Sequence, residues 1–246
     1  MNSNLIFGVV MMRLFLFWSL IILINSCSAS QSQGSSEPVN ANMNYEFAQF
    51  ENEPMLVTGT TNGSISLLGI SFQGSNILLM IPGKIEKYKK LADGQFGLLI
   101  GPNMLQLALI KKTKFLKPEF LKKEDTFILA GYYEWEKAYQ LQAGTGSYSA
   151  TPQFATLNAT GQRVLLYQYD QPVESQKFGD NSLISTLAGS FVDKDQILSV
   201  VVPILKKDKI EEKREFSNIV ISNVKFIDKK PDINLLKSIV YTVQKK

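Results

Sequence analysis

The segment FILAGYYEWEKAYQLQ, from Phe127 to Gln142, carries the clearest periodic signal in the chain. Phe127, Leu129, Tyr133 and Trp135 alternate with Ile128, Ala130, Tyr132, Glu134 and Glu136. That is a period of two with one bulky apolar face, and it predicts a β-strand. Working outward from it, the chain reads as further short strands separated by turn signals.

On the C-terminal side, Gly144–Pro152 is a polar loop, and Gln153–Asn158 and Gln162–Asp170 flank Ala159-Thr160-Gly161 as a hairpin. Leu183–Val192 and Gln196–Leu205 are strands split by Asp193-Lys194-Asp195. Lys206–Glu215 reads as a charged crossover or exposed turn and Ser217–Ile227 as a strand. After Pro231-Asp232, the spacing of Ile233, Leu236, Val240 and Val243 suits a helix, while Ile239–Val243 suits a strand equally.

On the N-terminal side, Phe96–Ile100 and Met104–Ile110 are strands joined through Gly101-Pro102-Asn103. Ile85, Tyr88 and Leu91, three apart, predict a short helix or turn over Lys84–Ala92. Asn76–Ile81 is an apolar run that predicts a strand buried on both faces. Asn62-Gly63 between Met55–Thr58 and Ser64–Phe72 is a strong hairpin signal. Many short strands at about ten-residue spacing, with no long helix between them, predict a mainly β fold. The expected architecture is an antiparallel β-sandwich or barrel with short helical turns and a C-terminal segment that suits a helix.

Composition prunes the chemistry. There is no histidine, and the one cysteine is Cys27. Ser-His-Asp and Cys-His catalysis, histidine general bases and the common zinc sites are therefore excluded, as are disulfides. Net charge is +4, carried almost wholly by lysine, with arginine only at 13, 163 and 214. Arginine is favoured where phosphates are gripped by two parallel hydrogen bonds, so no nucleic-acid partner is expected. Lys111, Lys112, Lys114, Lys117, Lys122 and Lys123 form a basic stretch. It reads as a solvated face, the alternative being contact with anionic lipid or acidic polymer. Pro118 can open a single helical turn over Glu119–Lys123.

Candidate site residues cluster in the opening segment. On a strand, Glu134 and Glu136 would share a face roughly 6.6 Å apart at ~3.3 Å per residue. Inverting glycosidases place their carboxyl groups ~6.5–9.5 Å apart, and neighbouring aromatics can stack on sugars. Alternate glutamates are equally what the wet face of a half-buried strand presents. Tyr132, Glu134, Trp135 and Glu136 are accordingly ligand-binding candidates without an assigned catalytic residue. Tyr132, Tyr133, Trp135, Tyr139 and Tyr148 suit either a ligand platform or core packing. Asp193-Lys194-Asp195 reads as turn chemistry rather than a metal site, and neither metal nor cofactor is expected.

Near the N-terminus, Leu14 to Ile24 is apolar except for Ser19, follows Arg13, and ends at Asn25-Ser26-Cys27. The basic flank, short apolar core and immediate cysteine resemble a bacterial lipoprotein signal. Ile24 occupies the position three before the cleavage point and Ser26 the small residue before it, while Asn25 departs from the family's preference for a small residue. The resemblance implies cleavage between Ser26 and Cys27, a diacylglyceryl group on the Cys27 thiol, and acylation of the new amine. Residues 1–26 are then the signal peptide, with 1–10 a spurious extension if translation begins at Met11 or Met12. Residues 27–43, polar and without an apolar period, read as a flexible tether. Residues 44–246 read as a single β-rich domain. The expectation is a lipid-anchored module at the cell membrane or outer membrane, binding or structural rather than enzymatic, with an envelope protein or polysaccharide as partner. Rival expectations are a carbohydrate-binding or carbohydrate-active lipoprotein using the Trp135 face, and a carrier enclosing an apolar ligand in a β-barrel.

Overall fold

Two antiparallel sheets frame the fold. The computed structural model describes residues 45–50, 55–61, 65–142, 151–157, 160–171 and 179–244. Ser26, Cys27, the 27–43 tether, the Asn62-Gly63 turn and Tyr148 lie outside the described residues.

The first sheet has the order β1-β2-β3-β4-β12. Its strands are β1 (Tyr45–Phe50), β2 (Met55–Thr61), β3 (Ile65–Phe72), β4 (Ser75–Pro82) and β12 (Lys225–Phe226). The second sheet has the order β5-β6-β7-β11-β10-β9-β8. It comprises β5 (Ile85–Ala92), β6 (Gln95–Ile100), β7 (Asn103–Lys111), β8 (Gln153–Thr156), β9 (Arg163–Asp170), β10 (Leu183–Asp193) and β11 (Gln196–Leu205). Every strand pair is antiparallel. Among the described residues there are three α-helices: α1 (Asp125–Gln142), α2 (Ile210–Ser222) and α3 (Ile233–Gln244).

Alternation places the core. Leu68, Ile70 and Phe72 of β3 and Ile77, Leu79 and Ile81 of β4 share one buried cluster with Phe96, Leu98, Leu105, Leu107, Leu198, Val200 and Val202 of the larger sheet. The two sheets therefore face each other across filled space as a sandwich, and neither closes into a barrel. Phe216, Val220 and Ile221 of α2 enter the same cluster. The helix approaches β10 at Gly189, where a Cβ would lie 2.6 Å from Ile221 Cδ1. The outer face of the smaller sheet is covered from the C-terminal segment. Leu236 of α3 packs with Leu67 and Leu78, and a Cβ on Gly69 would meet Pro231 at 2.6 Å.

The expected mainly β sandwich is what the chain forms, with several local differences. Phe127–Gln142 is not a strand but most of helix α1. Its aromatics suggested β structure, but Leu129, Ala130, Glu134, Glu136, Lys137, Ala138, Gln140 and Leu141 are all strong helix formers. Ile128, Leu129, Tyr132, Tyr133 and Gln140 are its buried residues, at the separations of one, three, four and seven that a helical stripe requires. Lys84–Ala92 is not helical but gives the edge strand β5, whose lysines 87, 89 and 90 suit an unpaired edge. Ser217–Ile227 is not a strand. Lys213, Phe216, Ser217, Val220 and Ile221 are buried at helical spacing in α2, and only Lys225–Phe226 pairs, with β4. The turn opened by Pro118 is a single 3-10 turn, Pro118–Phe120. The C-terminal segment is a helix, capped where Asp232 Oδ1 accepts from the Leu235 N–H at 2.7 Å.

Candidate functional site

The outer face of the larger sheet is the one not used against the smaller sheet. Along β7 the residues 105, 107 and 109 point into the sandwich, leaving Gln106, Ala108 and Ile110 on the other side. On β11 the same alternation leaves Ser199, Val201 and Pro203, and on β9 it leaves Tyr167 and Tyr169. Helix α1 packs over β9 and β10 on this face through Ile128, Leu129, Tyr132 and Tyr133, against Leu165, Tyr167, Tyr169 and Ala188. Beside that contact, helix and sheet leave a cavity of about 80 Å³. Tyr132, Glu136, Tyr139 and Gln140 line it from the helix, and Gln95, Gln106, Tyr167, Thr186 and Ser199 are among the sheet residues opposite.

The lining mixes apolar side chains with a minority of polar groups and is almost uncharged. Glu136 is its one carboxylate, and it contains neither lysine nor arginine. Gln140 Nε2 donates to Glu136 Oε1 at 2.9 Å, one helical turn apart. Tyr167 Oη lies 3.5 Å from Ser190 Oγ, which donates to Ser199 Oγ at 3.3 Å, so a chain of hydroxyls runs beneath the floor. Burial pushes the Tyr167 phenol up to about 12. The Glu136 charge adds to that push, against the pull of hydrogen bonds from Ser190, Ser199 and Tyr132. Thr186 is 2% exposed. Its Oγ1 reaches no hydrogen-bond partner among the described residues.

The four sequence-predicted site residues separate. Tyr132 and Glu136, four apart on α1, both line the cavity. Trp135 is half-buried on the flank of the helix, its ring 5.9 Å from Tyr132, 6.3 Å from Tyr139 and 6.0 Å from Phe115. Glu134 is exposed. At roughly 100° per helical residue, two positions carry a side chain to the opposite side, so Glu134 and Glu136 do not form the same-face pair that a strand would make. Of the wider aromatic set, Tyr133 is core, packed edge-on to Tyr167 at 5.6 Å. Five of the six lysines from 111 to 123 are exposed, but Lys112 is buried and donates to the Lys194 carbonyl.

Sequence reasoning passed over Tyr167, Thr186, Ser199 and the glutamines 95, 106 and 140. A signal existed in β9, where Tyr167 and Tyr169 alternate with the apolar Val164 and Leu166 on the other face. Reading α1 as a helix would also have set residues 132, 136, 139 and 140 on one stripe.

No known family matches. Neither a family model nor a curated protein aligns with the chain. The solution structure of cyanobacterial PsbP (CyanoP) from Synechocystis aligns with 79% of this chain and 98% of its own length, at a TM-score of 0.41 and 12% identity. A likeness of that size decides neither fold nor function. Among the described residues no group of three or more acidic, cysteine or histidine side chains gathers to hold a metal ion, at Asp193 and Asp195 or elsewhere.

Proposed function

We propose that this protein is a lipid-anchored binding module of the cell envelope, tethered through Cys27 and receiving its ligand in the cleft beneath α1. The observation that supports binding is the cleft itself. Tyrosines, glutamines and hydroxyls from α1, β6, β7, β9, β10 and β11 converge there, and the buried Thr186 hydroxyl has no partner among the described residues. Concave sites with a few convergent polar groups are where small ligands bind. The anchoring half rests on the resemblance of Ile24-Asn25-Ser26-Cys27 to a lipoprotein signal. A non-enzymatic role is favoured over glycoside hydrolysis because the cleft lining offers one carboxylate where that chemistry uses two. An apolar carrier is less well supported, since the space between the sheets is filled by side chains.

Two measurements test the reading. Cys27→Ser should shift the protein from the detergent phase to the aqueous phase, or leave it at precursor size, and should abolish palmitate labelling; unchanged partition and labelling would refute the anchor. Envelope extract should raise the melting temperature of the intact protein, because a ligand that binds only the folded state stabilises it. Glu136→Gln combined with Tyr139→Ala should remove that shift, and a shift that survives both would move the site elsewhere.

A further inference from the structure

We propose that the ligand of this cleft is a neutral sugar, one ring at the end of a carbohydrate chain or projecting from it. The inference deepens the binding reading and rests on it. Three properties of the lining select this class.

The first is charge. The lining has no lysine or arginine to pair with an anionic ligand. Its field points the other way, since Glu136 is a lining residue and helps hold the Tyr167 proton in place.

The second is the directionality of the hydrogen-bonding groups. Gln95, Gln106 and Gln140 each bring an amide that both donates and accepts, and Thr186 brings a hydroxyl that does the same. Such groups match ligand hydroxyls, which also do both. Thr186 is one of the lining residues, and its buried Oγ1 has no hydrogen-bond partner among the described residues. A buried hydroxyl without a partner is unfavourable in the free protein and is relieved when a ligand hydroxyl meets it.

The third is shape. Tyrosine rings offer flat apolar faces for the C–H faces of a sugar, with a hydroxyl at the far end of each. Tyr132, Tyr139, Tyr167 and Tyr169 all contribute to the lining. The cavity of about 80 Å³ is several times the ~10–15 Å³ needed for one water. That is room for one ring, not for an extended chain.

The test is saturation-transfer NMR on the intact lipidated protein in detergent, with millimolar D-glucose, D-galactose, D-mannose and N-acetylglucosamine as neutral probes. Choline chloride and sodium phosphate serve as cationic and anionic probes. At least one neutral sugar should receive saturation, and Thr186→Val and Gln106→Leu should each weaken its binding roughly tenfold. Tyr139→Phe, which removes one hydroxyl from a half-buried ring, serves as a third variant should either of those fail to fold. Binding of choline or phosphate, but no sugar, with the same sensitivity to the variants would overturn the sugar assignment while leaving the binding module standing. Saturation of a sugar that none of the variants changes would overturn the cleft as its site. Absence of saturation for every probe would overturn the inference.

Discussion

Lys213 Nζ lies 3.5 Å from Asp208 Oδ1, and the two side chains are 6% and 10% exposed. The same ammonium donates to the Pro102 carbonyl at 2.8 Å and to Asn103 Oδ1 at 2.9 Å, while Asp208 Oδ2 accepts from the Leu205 N–H at 2.8 Å. One buried lysine thus ties α2 to the β6–β7 turn and to the end of β11. Removing one partner of a buried pair strands the other charge, at a cost of roughly 3–5 kcal/mol. Lys213→Ala should lower the urea midpoint accordingly. The double variant Lys213→Met with Asp208→Asn should recover much of the loss, because no uncompensated charge is left buried. If Lys213→Ala unfolds at the wild-type urea concentration, the pair is not holding the helix.

Gly189 and Ile221 make a second junction, between β10 and α2. A Cβ at 189 would sit 2.6 Å from Ile221 Cδ1 and 2.9 Å from Cγ1. Overpacking of this kind typically costs about 1–3 kcal/mol. Gly189→Ala should therefore destabilise, and adding Ile221→Val, which deletes the closest methyl, should return part of the stability. Additive effects of the two substitutions in thermal unfolding would show that the contact does not limit packing there.

What was legible in the sequence follows from what each pattern measures. The β8–β9 and β10–β11 hairpins were readable because turn residues separate two strand-like runs in each. Helix α1 was misread because Phe127, Tyr132, Tyr133 and Trp135 weigh toward strand on propensity, whereas packing on β9 and β10 selects the helical stripe. Helix α2 was misread for a related reason: Ile219-Val220-Ile221 resembles a strand, yet its buried positions run back through Phe216 to a lysine. A buried lysine is invisible to apolar patterning. The cleft was half legible. Tyr132 and Glu136 were chosen on strand geometry and lie together because of helical geometry. Thr186 and Ser199, ordinary strand hydroxyls, acquire meaning only from the helix above them.

Tyr167 predicts the alkaline behaviour. Its folded-state value, pushed up to about 12 from an ordinary 10.0, means that the native state keeps a proton the unfolded chain releases first. The stability this contributes is intact below pH 10.0 and is lost as pH rises toward 12. A spectrophotometric titration of the phenols should show a late-titrating group that Tyr167→Phe removes. The variant should also lose less stability over that interval than the wild type. Tyr88 and Tyr133, raised by burial as well, leave a residual slope. Loss of the late step without any change in the slope would mean that Tyr167 titrates only after the protein has unfolded.

Asp193 predicts the opposite limb of the pH profile. It closes the β10–β11 turn at the seam between the sheets. There Gln196 Nε2 donates to the Gln73 carbonyl at 3.1 Å and Lys194 Nζ to the Gly74 carbonyl at 2.7 Å. Burial raises the Asp193 carboxyl above its ordinary 3.8, against the pull of Ser75, Lys194 and Lys112; Asp195 adds a smaller push upward. The direction of the shift sets the sign. With the folded-state value raised, the contribution to stability is fully present below pH 3.8 and falls as pH climbs through the folded value, so the ionised form is the unfavourable one at neutrality. Asp193→Asn keeps the shape and removes the charge. It should raise the melting temperature at pH 7 and leave it unchanged at pH 3. A variant less stable at both pH values would show that the carboxylate's attraction to Lys194 and Lys112 outweighs the cost of burying it.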